Sequence, residues 1–227
     1  MNRIVSQNQR RFLSFVMAMS MCLSVSACKH SSNGKIGEVE KALEEKCNAK
    51  EVSEEEVYEE MVDTKYDIRD TQNDFKDGLY TAVLPEDFDF FGYHTVTDSR
   101  NVKSVFKYIK TDPSCSSKDV VSEMEVLVIQ FKDHDAASKY FEAIQSQREK
   151  NYESNKQMKL DFFNEFVSKK EYFAYASKTD DMLFNVYAQI DGSTVLYAFV
   201  EGPISAKLEN DYIAFMKEME YSIISTQ

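Results

Sequence analysis

The stretch 172–201 constrains the fold more than any other part of the chain. Within 183–190, Phe184, Val186, Ala188 and Ile190 alternate with Asn185, Tyr187 and Gln189. That is the period-two pattern of a strand with one face buried. Asp191-Gly192 follows, a pair suited to the left-handed backbone of a tight hairpin. Segment 194–201 then supplies a third strand after 172–177 and 183–190, completing a meander. A strand over 125–132 and two amphipathic segments accompany it. After Asp133, a capping residue, Ala137, Tyr140, Phe141 and Ile144 recur at i, i+3, i+4 and i+7, the spacing of one helix face. A last helix over 205–221 places Leu208, Tyr212, Phe215 and Met219 on one stripe. The C-terminal order β-α-β-β-β-α predicts an α+β fold, a mainly antiparallel sheet with helices packed on one face. On that reading Asn185, Tyr187 and Gln189 form the exposed face of the meander, and Tyr187 is a candidate binding residue.

The first half is less regular. A short helix is expected over 38–47, with Val39 and Leu43 as its apolar stripe, and a second from Ser53. Ser53 and Glu56 make a capping box there, and Val52 can staple onto Val57. Segments 66–69 and 102–110 read as strands, and 79–83 as strand or helix. Pro113-Ser114 and the serines after Cys115 mark a loop. Length allows a single domain over 38–227.

The N-terminus carries an address. Arg3, Arg10 and Arg11 precede an uncharged apolar run over 12–25, then Val25-Ser26-Ala27-Cys28. A basic start, a short apolar core and small residues before a cut are the features of an export signal. Val-Ser-Ala-Cys resembles the lipobox of bacterial lipoproteins, and the resemblance implies a diacylglyceryl thioether on Cys28. It divides the chain into a signal peptide (1–27), a lipidated tether (28–37) and the extracytoplasmic domain (38–227). The membrane is then a partner through the lipid on Cys28, on the extracytoplasmic face of the cell membrane. Two other readings stay open. Arg10-Arg11-Phe12-Leu13 partly fits a twin-arginine signal, and an uncleaved anchor would have to use a run of about 14 residues, short of the ~20 that span a bilayer.

Removing the three signal arginines from 27 basic residues leaves 24 against 39 acidic ones, a net charge of −15. Phosphate binding needs a basic stripe, so nucleic acid is not an expected partner, whereas a basic partner would suit the charge. Cys47 and Cys115 are the thiols left after lipidation. They are either a candidate disulfide, worth at most ~4 kcal/mol on the chain-entropy model, or two free thiols. No Cys-x-x-Cys is present, so neither a redox motif nor a zinc knuckle is indicated.

A helix opening on Ser53-Glu54-Glu55-Glu56, then Tyr66-Asp67-Ile68-Arg69-Asp70-Thr71 and Phe75, precede Ile129-Gln130-Phe131 and a helix with Ala136, Ala137, Tyr140 and Phe141. With the meander and final helix, this order resembles small uncharacterised lipoproteins of Gram-positive gut bacteria. The resemblance covers roughly 53–221 and implies a compact α+β extracytoplasmic domain without an established activity.

Few constellations suggest chemistry. Of His30, His94 and His134, only the last sits in a cluster, Asp133-His134-Asp135. Consecutive residues at a helix start point in different directions, so capping by Asp133 accounts for the cluster better than a metal does. No Gly-x-Ser-x-Gly elbow, phosphate-cradling loop or His-Glu-x-x-His helix occurs, and no catalytic residue, metal or cofactor is assigned. The unusual segment is 84–94, where Phe88, Phe90, Phe91 and Tyr93 stand between acids. These aromatics are candidate anchors for an envelope protein partner, or else they plug the core. The expectation is a membrane-anchored lipoprotein acting as a non-catalytic binding or accessory module. The alternatives are an exported metal-dependent hydrolase using acids near His94 or His134, and a purely structural envelope protein.

Overall fold

The structure, a computed structural model, describes residues 35–52, 77–83, 101–117, 120–158 and 162–224. The chain separates into two units, Met1–Gly37 and Glu38–Gln227, and the sheet belongs to the second. Cys28, His30, the expected elements from Ser53 and over 66–69, and the whole of 84–94 lie outside the described residues.

Among the described residues seven strands form one sheet: β1 (Gly78–Val83), β2 (Val102–Ser117), β3 (Val120–Phe131), β4 (Phe163–Ser168), β5 (Tyr172–Lys178), β6 (Met182–Asp191) and β7 (Thr194–Pro203). Their order is β1-β2-β3-β7-β6-β5-β4, and every neighbouring pair is antiparallel. Among the described residues the helices are α1 (Lys35–Cys47), α2 (His134–Gln157) and α3 (Ala206–Glu218). The fold is α+β on a mainly antiparallel sheet. In place of the expected β-α-β-β-β-α, the C-terminal order has a fourth meander strand, β4. It is an edge strand with half-buried residues rather than a clean alternation, which explains its weak sequence signal.

Helices cover both faces of the sheet, where the sequence placed them on one. Along α2, Tyr140 lies against Phe131 and Phe141 against Phe173, with ring centroids 5.3 and 5.7 Å apart. Leu127, Ile129, Val186, Ala188 and Val195 complete that core. The alternate residues face α3 and the chain beyond it. Asp211 of α3 pairs with Lys110 at 2.7 Å, Asn185 Nδ2 donates to the Ile224 carbonyl at 3.3 Å, and Tyr187 stacks on Tyr221 at 4.7 Å. The face that looked polar in sequence is thus a second core, and central strand β3 is buried on both sides from Met124 to Ile129.

Local chemistry sets the ends of the elements. Asp133 caps α2 by accepting from the Ala136 amide at 2.8 Å, and Ser205 caps α3 through the Leu208 amide at 3.2 Å. Helix α3 buries Met216 rather than the expected Met219, because it ends at Glu218 and Met219 is already its C-cap. Pro113, Ser114 and Cys115 do not end β2 in a loop. They form a bulge between the pairs Asp112↔Ser122 and Ser116↔Val121, a position that tolerates proline's missing donor. Asp112 Oδ1 accepts the Ser114 amide and hydroxyl at 3.2 and 2.5 Å.

Candidate functional site

At one end of the sheet the strands frame a half-open cleft of about 380 Å³. Val120, Val121, Met182, Leu183 and Phe184 give it apolar walls, and Glu123 and Glu201 give it an acidic end. The backbone explains the shape. Gly202 has φ +106°, and a Cβ there would lie 2.8 Å from the Val121 carbonyl oxygen. Only glycine lets β7 run so close to β3 where both begin to diverge.

Glu123 and Glu201 are directly opposed across the β3–β7 ladder, an arrangement in which two like charges repel. Burial, and then the Glu201 charge, push the Glu123 carboxyl up to about 7 against the pull of Lys107. Burial likewise raises Glu201, with Arg148 opposing. Two residues along β3, Glu125 meets Lys107 Nζ at 2.8 Å, both side chains 4% exposed. Burial raises Glu125 well above the carboxylate range and lowers Lys107 to about 8. Glu125 Oε1 is buried without a hydrogen-bond partner. From α2, Arg148 donates Nε and Nη2 to the Tyr197 hydroxyl and lies 4.8 Å over the Phe184 ring, an arrangement with a cation–π contribution.

None of these residues was singled out in the sequence. The usable signal was polar residues inside otherwise apolar strands, Lys107 in β2 and Glu125 in β3. Of the candidates that were, Tyr187 is 3% exposed, stacked between Tyr172 and Tyr221. It is a core residue, and with Asn185 it is withdrawn from the candidate binding face because α3 and the chain after it cover that side. Gln189 is half-buried, its Oε1 enclosed without a partner. Asp133 caps its helix. His134 Nδ1 lies 2.7 Å from the Gly192 carbonyl and Nε2 3.3 Å from Ser138 Oγ, so the imidazole ties α2 to the β6–β7 turn. No group of three His, Cys, Asp or Glu is arranged to hold a metal among the described residues. Cys47 and Cys115 are free thiols. Cys47 is buried beside the Asp211 carbonyl at 3.7 Å, and burial pushes its thiol up to about 12, far from the reactive thiolate range. Phe88, Phe90, Phe91, Tyr93 and His94 fall outside the described residues.

No protein-family model matches the chain, and no curated protein matches it. One solved structure similar to it is the extracellular domain of PknH from Mycobacterium tuberculosis, at 7% identity and a TM-score of 0.32, over 64% of this chain and 79% of that one. A likeness at that level carries no argument about activity. No helix among the described residues is long and apolar enough to cross a membrane.

Proposed function

We propose that the protein is a lipid-anchored extracytoplasmic module that binds a small or side-chain-sized ligand and does no chemistry on it. The observation that carries the binding reading is the half-open cleft, with apolar walls from Val120 to Phe184 and a short acidic end. Concave, mostly apolar sites with a few convergent polar groups are where proteins hold ligands. The anchoring rests on Val25-Ser26-Ala27-Cys28, and the net charge of −15 after signal removal argues against nucleic acid as the ligand. An envelope protein partner engaging 84–94 is a second face of the same role.

The binding reading is tested by methyl NMR on the lipidated full-length protein, using n-butanol as a neutral apolar probe. Saturable shifts are expected at Met182 and Leu183, which line the cleft, and not at Met158, which is 56% exposed on another surface. Absence of any saturable response at Met182 and Leu183 overturns the cleft as a binding site. For the partner, in-cell crosslinking is expected to capture an envelope protein that a Phe90→Ala/Phe91→Ala variant of equal abundance loses.

A further inference from the structure

We propose that Arg148 is a positioning residue for the cleft: from α2 its guanidinium fixes the Phe184 ring, the aromatic part of the cleft wall, and so sets how tightly the cleft binds. The effect on binding rests on the cleft being the binding site; the hold on Phe184 does not. Arg148 is unusual for its place in the helix. It continues the stripe of Ala137, Phe141 and Ile144 at helical spacing and stands four residues before Tyr152. Ile144 and Tyr152 both pack against the core, so a cation occupies a core-facing position, where a charge is costly unless it is well partnered.

Its close partners are aromatic. Nε and Nη2 both donate to the Tyr197 hydroxyl, and the guanidinium carbon lies 4.8 Å from the Phe184 ring centroid and 5.9 Å from that of Tyr197. Strand register explains how one side chain serves both. Tyr197 stands opposite Ala188 and Glu201 opposite Phe184, which puts Tyr197 and Phe184 on the same face, two side-chain rows apart on neighbouring strands. A long stem with a flat fork spans that step. A lysine ammonium has neither a plane to lay on a ring nor two N–H groups in fixed geometry. The anchor is firm, because Tyr197 is buried. Phe184, by contrast, is half-buried and lines the cleft. Its aromatic neighbour Tyr175, 5.6 Å away, is itself tied to α2, since Asn155 Nδ2 donates to the Tyr175 hydroxyl at 2.9 Å. A wall ring ordered in advance loses less rotamer freedom when a ligand settles against it.

The test measures ring order at Phe184 by relaxation of carbon-13-labelled phenylalanine in the lipidated full-length protein, together with n-butanol affinity at the Met182 methyl. The variants are Tyr197→Phe, which removes only the anchoring hydroxyl, Arg148→Met and Arg148→Lys. Phe173, in the same core against Phe141 and Phe166, is the control ring. Phe184 is expected to loosen in Tyr197→Phe and Arg148→Met while Phe173 stays as in the native chain, and butanol is expected to bind about two- to tenfold more weakly. Arg148→Lys keeps a charge to oppose the burial of Glu201 and is expected to restore neither. Native order at Phe184 in Tyr197→Phe and Arg148→Met overturns the proposal. So does restoration by lysine, which assigns the effect to charge, or equal loosening of Phe173, which assigns it to general softening of the core. A loosened Phe184 with unchanged butanol affinity overturns the role in binding. No butanol binding in the native chain overturns the cleft as a binding site, and the ring data then still decide whether Arg148 holds Phe184.

Discussion

Lys107 Nζ lies 2.8 Å from Glu125 Oε2, each side chain only 4% exposed, and the pair joins the middles of β2 and β3. Removing one partner leaves an uncompensated charge in the core, a loss of about 3–5 kcal/mol. Lys107→Met and Glu125→Leu are each expected to fall in that range by urea unfolding. The double variant should recover most of the loss, since an apolar pair of similar size is often neutral or better. A double-mutant cycle measures the coupling. Additive losses would mean the pair is not a unit.

Ser205 links two elements through one hydroxyl. It accepts from the Leu208 amide at 3.2 Å to cap α3 and donates to Asp112 Oδ2 at 2.6 Å in the β2 bulge. Ser205→Ala is expected to cost about 1–2 kcal/mol, the range for a lost N-cap. The hydroxyls of Ser114 and then Ser205 hold the Asp112 carboxyl down to about 2. A depressed carboxylate contributes stability that is present above its unfolded value and lost as pH falls through the folded one. Asp112→Asn should therefore flatten the acid limb of the stability curve between about pH 4 and pH 2, measured by thermal unfolding.

Glu123 gives the opposite slope. Its carboxyl is raised from 4.5 to about 7, so the native state holds a proton that the unfolded chain has released. The stability this confers is complete below about pH 4.5 and is lost as pH rises through 7. The urea midpoint should fall between pH 5 and pH 8 in the native chain, and Glu123→Gln should remove most of that fall. An unchanged slope in the variant would place the titrating group elsewhere.

Tyr187 separates core from binding surface. Buried and stacked between two other tyrosines, it should cost about 3–5 kcal/mol when truncated to alanine, as large buried aromatics do. Butanol binding at Met182 should be unaffected. A loss of binding with full stability would restore Tyr187 to the ligand face.

Cys28 decides the anchoring. Cys28→Ala is expected to leave an unlipidated precursor of higher protein mass, and intact-mass spectrometry of the membrane fraction reads this directly. Processing of the variant to the native size would remove the basis for a lipid anchor.

Where the sequence was informative, local physics was strong and unshared. The alternation around Val186, the Asp191-Gly192 turn, the Asp133 cap and the Ala137–Tyr140–Phe141 stripe each determine their element within a few residues. The misreadings came from tertiary context. Asn185 and Tyr187 are polar enough to look exposed, yet each finds a partner after α3, in Ile224 and Tyr221. Pro113 looked like a chain break because a bulge that keeps β2 going depends on Asp112 capturing Ser114, and that geometry is invisible in a string of letters. The cleft was illegible for the same reason: Glu123 and Glu201 stand far apart in sequence and meet only through the β3–β7 register.

The burial of β3 on both faces has a consequence for how the chain finds its alignment. In a half-exposed strand, sliding by one residue puts oily side chains into water, and that cost keeps the pairing honest. Met124, Val126, Leu127, Val128 and Ile129 are all 0% exposed, so a one-step slide would merely exchange one greasy layer for the other. What tells the two alignments apart is the odd polar letter. Shifted by one, Glu125 would arrive in the wrong layer with Lys107 left behind. The least hydrophobic residues of the interior thus act as the key that fits only one lock, and a chain rebuilt without them would keep its oil and lose its index mark.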